Sequence, residues 1–149
     1  MVTACIGAWS FPLPERWEVR VNDPKKTYVE APDKTRGIYI QEIVPTPDGT
    51  SAMDFATHIQ DVNLESYTNL DGAKWNVIAR RDGEQAGYFT SVLDIMDRTA
   101  QYCIRFIVMC GPNEGLRLAL HDYLCEDYAK ACAFFDSIET TIARASSVV

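Results

Sequence analysis

Residues 87–96 (GYFTSVLDIM), 101–110 (QYCIRFIVMC) and 116–124 (LRLALHDYL), followed by 126–144 (EDYAKACAFFDSIETTIAR), decide the fold. The first three stretches are apolar and alternating. Asp97-Arg98 turns the first into the second, and 110–115 (CGPNEG) closes the second. They read as an antiparallel meander. Leucine and alanine also favour helix, so one long helix over 116–144 is the alternative for the third. The hairpin-type connection Asn113-Glu114-Gly115 after a strong strand favours a strand, with Leu116, Leu118, Leu120 and Leu124 on one face, interrupted by Asp122. From Glu126 onward Tyr128, Ala131, Cys132, Phe135, Ile138 and Ile142 form one stripe, which reads as a helix lying on the sheet with that stripe in the core.

Upstream, 74–81 (KWNVIARR) reads as a strand and Asp82-Gly83 as a two-residue hairpin turn, with Trp75, Val77 and Ala79 facing the same core as the next strand. A helix precedes it. Thr50 or Ser51 can cap its amides, Asp54 lies in its first turn, and Asp71-Gly72 stops it. Its apolar stripe is Phe55, Ile59, Val62, Tyr67 and Leu70. Extended pieces at 3–11, 17–21, 27–31 and 37–44 come first, and Pro12-Leu13-Pro14 is expected to break regular pairing after the first. In 37–44 Ile38, Ile40 and Glu42 share one face, and Tyr39, Gln41 and Ile43 the other. The expected fold class is α+β, a curved antiparallel sheet of six to seven strands with a mid-chain and a C-terminal helix packed on it. Residues 1–149 read as one domain.

The chain has 149 residues, a hydrophobic fraction of 47% and a net charge of −7. That composition is globular and supports a sizeable core. The densest cationic spots are Lys25-Lys26 and Arg80-Arg81, too small for a polyanion track, so nucleic acid is a poor partner. An anionic membrane surface would repel the chain, and nothing approaches the roughly 18 apolar residues of a membrane span. Val2-Thr3-Ala4-Cys5 resembles the end of a bacterial lipoprotein cleavage site, but only Met1 precedes it. A cytoplasmic location is expected, with a trimmed lipoprotein as the alternative. The five cysteines are an odd number without C-x-x-C spacing, which argues for reduced thiols. A Cys110–Cys125 or Cys103–Cys132 bridge stays open.

This order of elements, with 11–18 (FPLPERWE), the helix ending at Asp71-Gly72, the strands either side of Asp82-Gly83-Glu84 and the terminal 135–139 (FDSIE), resembles the family that groups the Mog1, PsbP and DcrB-like proteins, in its bacterial branch of small domains. The resemblance runs over nearly the whole chain on a soft motif, Phe11-x-x-Pro14-x-x-Trp17. It implies a Mog1/PsbP-like fold and a mostly non-catalytic role: adaptors of a small GTPase, extrinsic photosystem subunits, lipoproteins, or chaperones that sheathe apolar helices of type VI secretion effectors. The arginine-containing strand of those chaperones has no counterpart in 37–44. An immunity protein that blocks a basic toxin is the remaining bacterial role.

No GxSxG, HExxH, phosphate-loop or dinucleotide motif occurs, and no cofactor or metal is expected. His121, Asp122, Cys125, Glu126 and Asp127 could compose a nucleophilic triad or a metal site. In a strand, however, His121 and Asp122 project to opposite faces, and acids at a helix start cap it. Capping is the favoured reading, and His58 reads as solvated or packing. The expected function is protein binding through Trp17, Tyr39, Asp48, Asp82, Glu84 and Glu114. Aromatic residues anchor interfaces, and acidic loops steer a basic partner. Trp9, Tyr28 and Phe89 are further aromatic candidates, and Asp33, Glu126 and Asp127 further acidic ones. The alternatives are the helix-sheathing chaperone and a small enzyme or ligand carrier built on Cys125 and His121. A homodimer through an exposed edge such as 37–44 is also open.

Overall fold

The structure is a computed structural model that describes residues 2–6, 9–23, 25–69, 72, 74–85 and 87–144. In chain order its elements are β1 (Val2–Ile6), β2 (Trp9–Leu13), β3 (Glu18–Asp23), β4 (Lys26–Glu30), β5 (Arg36–Ile43), α1 (Ala52–Thr68), β6 (Trp75–Gln85), β7 (Tyr88–Asp97), β8 (Tyr102–Cys110), β9 (Gly115–Asp122), α2 (Tyr128–Glu139) and β10 (Ala143–Arg144). A 7-stranded antiparallel sheet runs β3-β4-β5-β9-β8-β7-β6, and a 3-stranded sheet runs β1-β2-β10. The segment 116–124 is therefore strand up to Asp122, and the long terminal helix does not form.

Cross-strand rungs show why the central strands are so apolar. Leu93, Phe106, Ala119 and Tyr39 form one rung, and Val92, Ile107, Leu118 and Ile40 the adjacent one. Cross-strand partners share a face, and neighbouring rungs face opposite ways. The first rung lies in the cluster packed with Leu64 and Tyr67 of α1. The second lies in the larger core with Ala131, Phe134, Phe135 and Ile138 of α2 and Trp9 and Leu13 of β2. The sheet is covered on both sides, so its middle strands must be apolar at nearly every position.

α1 starts where the sequence signals it. The Ser51 side chain accepts the Asp54 amide at 3.0 Å, and Asp127 caps α2 by accepting from Ala129 at 2.9 Å. The buried line of α1 differs from the expected stripe. Ala56, Gln60 and Asn63 are buried, whereas Val62 is 48% exposed. The polar pair is admitted because it is hydrogen-bonded. Gln60 donates to the carbonyls of Ser91 at 2.9 Å and Phe106 at 3.2 Å, and Asn63 donates to Gln60 Oε1 at 3.0 Å. Burial of such amides is tolerated only with partners of this kind. Leu70 and Asp71 lie outside the described residues.

Five expectations are corrected. Residues 3–11 are not one strand but the hairpin β1–β2, in which Ile6 meets Trp9. Pro12 does not end pairing: it sits in β2 opposite Thr3, where two-residue β10 no longer reaches, so its missing amide hydrogen costs little. Asp82-Gly83 is not the turn, because β6 continues to Gln85, which pairs with Tyr88 across a bend that includes Gly87 at φ 85°. A bulge between Val77 and Ala79 then shifts the side-chain phase. Trp75 packs towards α1, Ile78 against the larger core, and Val77 is 49% exposed. Finally, β5 is not an edge: it lies between β4 and β9, and the edges are β3 and β6.

Candidate functional site

The α1 side of the sheet is covered unevenly. α1 packs on β7, β8 and β6, leaving the stretch over β4, β5 and β9 without a helix. There the sequence sets tyrosines. Tyr28 and Tyr39 are cross-strand partners with stacked rings, centroids 4.3 Å apart. Arg117, Ala119, His121 and Tyr123 follow at every second position along and just beyond β9, and Tyr102 opens β8. With Lys26, Tyr39 and Tyr67 these residues line a cavity of about 350 Å³.

Gly37 makes room for this cluster. A Cβ there would lie 2.2 Å from the Tyr28 hydroxyl and 2.6–2.7 Å from its ring carbons. Gly37→Ala should therefore lower the unfolding free energy by about 1–3 kcal/mol through overpacking. Chemical denaturation checks this, and restoration by an added Tyr28→Val would attribute the loss to the ring.

His121 is the buried centre of the cluster, 3% exposed. Its ring lies against Tyr39, Tyr102 and Tyr123 at 5.2, 5.7 and 5.4 Å. Burial, reinforced by the Arg117 charge, lowers its pKa from 6.5 to about 3. Burial also raises the Tyr102 phenol well above its ordinary range. The imidazole is thus neutral and the phenol keeps its proton. The Tyr102 hydroxyl and His121 Nδ1 share a hydrogen bond of 2.5 Å. The Tyr28 and Tyr123 hydroxyls share a hydrogen bond of 2.8 Å, and Tyr28 also donates to Glu30 at 3.0 Å.

Two cations border the cavity. Arg117 donates through Nε to Asn63 at 2.8 Å and lies over the Phe106 ring at 5.3 Å. Among the described residues no carboxylate lies within ion-pair distance of it. Lys26 is exposed, with its Nζ 4.9 Å from the Tyr39 ring centroid. Both contacts are cation–π interactions.

The opposite side of the sheet holds a cluster of buried charges. Arg105 of β8 grips Asp94 of β7 through Nε and Nη2 at 2.7 and 2.9 Å, and reaches α2 through Nη1 to Asp136 at 2.5 Å and Glu139 at 3.2 Å. Tyr128 donates to Asp94 at 2.5 Å, and Arg81 joins Glu139 at 2.6 and 2.7 Å. These groups clamp α2 to the sheet and face no cavity described above.

The expected residues do not converge on one patch. Tyr39 lines the cavity, while Trp17 stacks on Phe134 of α2 at 5.7 Å, on the other side of the sheet. Asp48 is exposed in the loop before α1. Asp82 and Glu84 are exposed on edge strand β6, Asp82 lying 3.6 Å from Arg80. Glu114 accepts the Tyr88 hydroxyl and is half-buried. Trp9 is core at 1% exposure and Phe89 packs beside Val108 and Cys110. Asp33 accepts from Thr35 within its own turn.

The Cys125–His121 site is not assembled. Cys125 belongs to the larger core on the α2 side, and His121 to the tyrosine side. Asp122 accepts from the Leu124 amide at 3.2 Å and pairs with Arg36 at 3.6 Å. Cys103, Cys110, Cys125 and Cys132 are free thiols, so neither anticipated bridge forms. Burial pushes Cys110 up to about 11 and raises Cys103 and Cys125, which opposes thiolate chemistry. Among the described residues no three His, Cys, Asp or Glu side chains converge as a metal would require. His58 is exposed on α1.

Lys26, Tyr67, Tyr102, Arg117 and Tyr123 were not anticipated as site residues. The period-2 line 117, 119, 121, 123 was visible, but it was the leucine face of the same strand that drew the reading.

No family model matches the chain, and no curated protein matches it. Among solved structures it is similar to cyanobacterial PsbP (CyanoP) from Synechocystis sp. PCC 6803, with a TM-score of 0.70 at 12% identity over 92% of this chain and 86% of that one. It is also similar to PA94 from Pseudomonas aeruginosa, a protein of unknown function described as a candidate regulator, with a TM-score of 0.52 at 13% identity over 98% and 99% of the two chains. These likenesses establish a PsbP-like α+β fold.

Proposed function

We propose that the chain is a non-catalytic protein-binding domain whose partner is a basic protein, in its finest form a bacterial toxin or effector for which it serves as immunity protein or adaptor. The supporting observation is edge strand β6. It spans 11 residues at the end of the sheet, carries exposed Asp82 and Glu84, and presents Val77 at 49% exposure. An edge strand offers unpaired backbone groups to an incoming strand. Asp82 and Glu84 lie on one end of the strand, beyond exposed Arg80 and Arg81, and on a chain of charge −7 they favour a basic partner and quicken its approach. The candidate chemical groups are meanwhile engaged elsewhere: His121 with Tyr102, Asp94 with Arg105, and Cys103, Cys110 and Cys125 in the interior.

The test is capture of the partner from native cell extract, its identification, and titration of the purified pair. Affinity should fall at least about tenfold between low and physiological-to-high salt, and Asp82→Lys/Glu84→Lys should weaken binding by a similar factor. A complex indifferent to salt and to both substitutions would overturn the reading. No helix among the described residues is long and apolar enough to cross a membrane.

A further inference from the structure

We infer that the tyrosine-lined cavity is a binding site for a small organic anion, an aromatic ring carrying a carboxylate. This goes beyond the protein-binding reading and stands or falls independently of it. The first ground is the sign of its lining. Arg117 and Lys26 border the cavity with no acidic residue among its lining, in a chain whose net charge is −7. The guanidinium has spent only Nε, on Asn63, so its terminal nitrogens have no carboxylate partner among the described residues. A half-buried cation without an anion is costly to keep unless one arrives.

The second ground is the hydrogen-bonding character of the walls. His121 shares Nδ1 with the Tyr102 hydroxyl, and its Nε2 has no hydrogen-bond partner among the described residues. Lysine and arginine are donors only, so the complementary ligand is an acceptor. The third ground is shape. The rings of Tyr39 and Tyr123 flank His121 at 5.2 and 5.4 Å, and offset or edge-on packing at such separations suits an aromatic guest. A volume of about 350 Å³ sits at the small end of the range for ligand sites, which fits one or two fused rings.

Calorimetric titration of the whole protein with 2-naphthoate tests this, with 2-naphthalenemethanol and inorganic phosphate as companion probes. Naphthoate should bind at sub-millimolar concentration, and the neutral alcohol and phosphate at least about tenfold more weakly, since each lacks one half of the recognition. Arg117→Gln should weaken naphthoate by about tenfold or more. Because Arg117 also holds Asn63, the exposed Lys26→Gln provides a second variant, expected to weaken binding severalfold with an unchanged denaturation midpoint. Phosphate binding as tightly as naphthoate would remove the aromatic half of the inference. Equal binding of the alcohol, full affinity in both variants, or no binding of naphthoate would remove the site.

Discussion

Arg105→Met is expected to lower the free energy of unfolding by about 3–5 kcal/mol, the usual cost of stripping one partner from a buried ion pair. The guanidinium is 4% exposed and Asp94 2%. Without Arg105 the Asp94 carboxylate stays inside the protein with the Tyr128 hydroxyl as its remaining side-chain donor. Asp136 loses its anchor and Glu139 keeps only Arg81, so α2 is held by that pair, by the Tyr128–Asp94 hydrogen bond and by the apolar contacts of Phe135, Ile138 and their neighbours. Urea unfolding followed by circular dichroism measures the loss. Arg105→Met/Asp94→Leu, which removes both charges, should regain most of it, because an apolar replacement of similar volume satisfies the same space. A single-variant loss below about 1 kcal/mol would mean that the clamp is not a unit.

The second large effect concerns acid. His121 titrates at about 3 when folded, against 6.5 for the free side chain. Below pH 6.5 the unfolded chain takes up a proton that the folded chain refuses, so stability falls as pH falls, and the fall continues until the folded pKa is reached. The full span corresponds to about 4–5 kcal/mol at most, at 1.36 kcal/mol for each unit of pKa difference. Carboxylates titrate in the lower part of the same window, so the discriminating quantity is a difference. His121→Phe should remove about one proton from the pH slope of unfolding between pH 4 and 6. Equal slopes for the parent and the variant would show that the imidazole is protonated in the folded protein.

The sheet and both helices were legible because their signals are local. Alternation in 87–96 and 101–110, the cap at Ser51 and the stripe from Tyr128 to Ile138 are each readable within a few residues. What escaped depended on partners distant in sequence. Val77 and Ala79 look like one face until the bulge is known, and Asp82-Gly83 looks like a turn until Gln85 is seen to pair with Tyr88. Gln60 and Asn63 lie outside the expected stripe because the carbonyl of Phe106 and the guanidinium of Arg117 that satisfy them are far along the chain. The separation of His121 from Asp122 followed from strand geometry alone. The assembly of Tyr28, Tyr39, Tyr102 and Tyr123 around His121 did not, since it requires β4, β5, β8 and β9 to be adjacent.

The pairing of β5 with β9 carries a kinetic consequence. Ile40 meets Leu118 only after α1 and three intervening strands have been made, so the middle of the sheet is its longest-range junction. Contacts of large sequence separation are slow to form, whereas hairpins between neighbouring strands form early. The meander β6–β9 can therefore assemble as a nucleus on its own, and β3–β5 must dock onto the bare edge of β9 afterwards. During synthesis that edge does not exist until Asp122 has left the ribosome, and until then Ile38 and Ile40 have a strand on the β4 side alone.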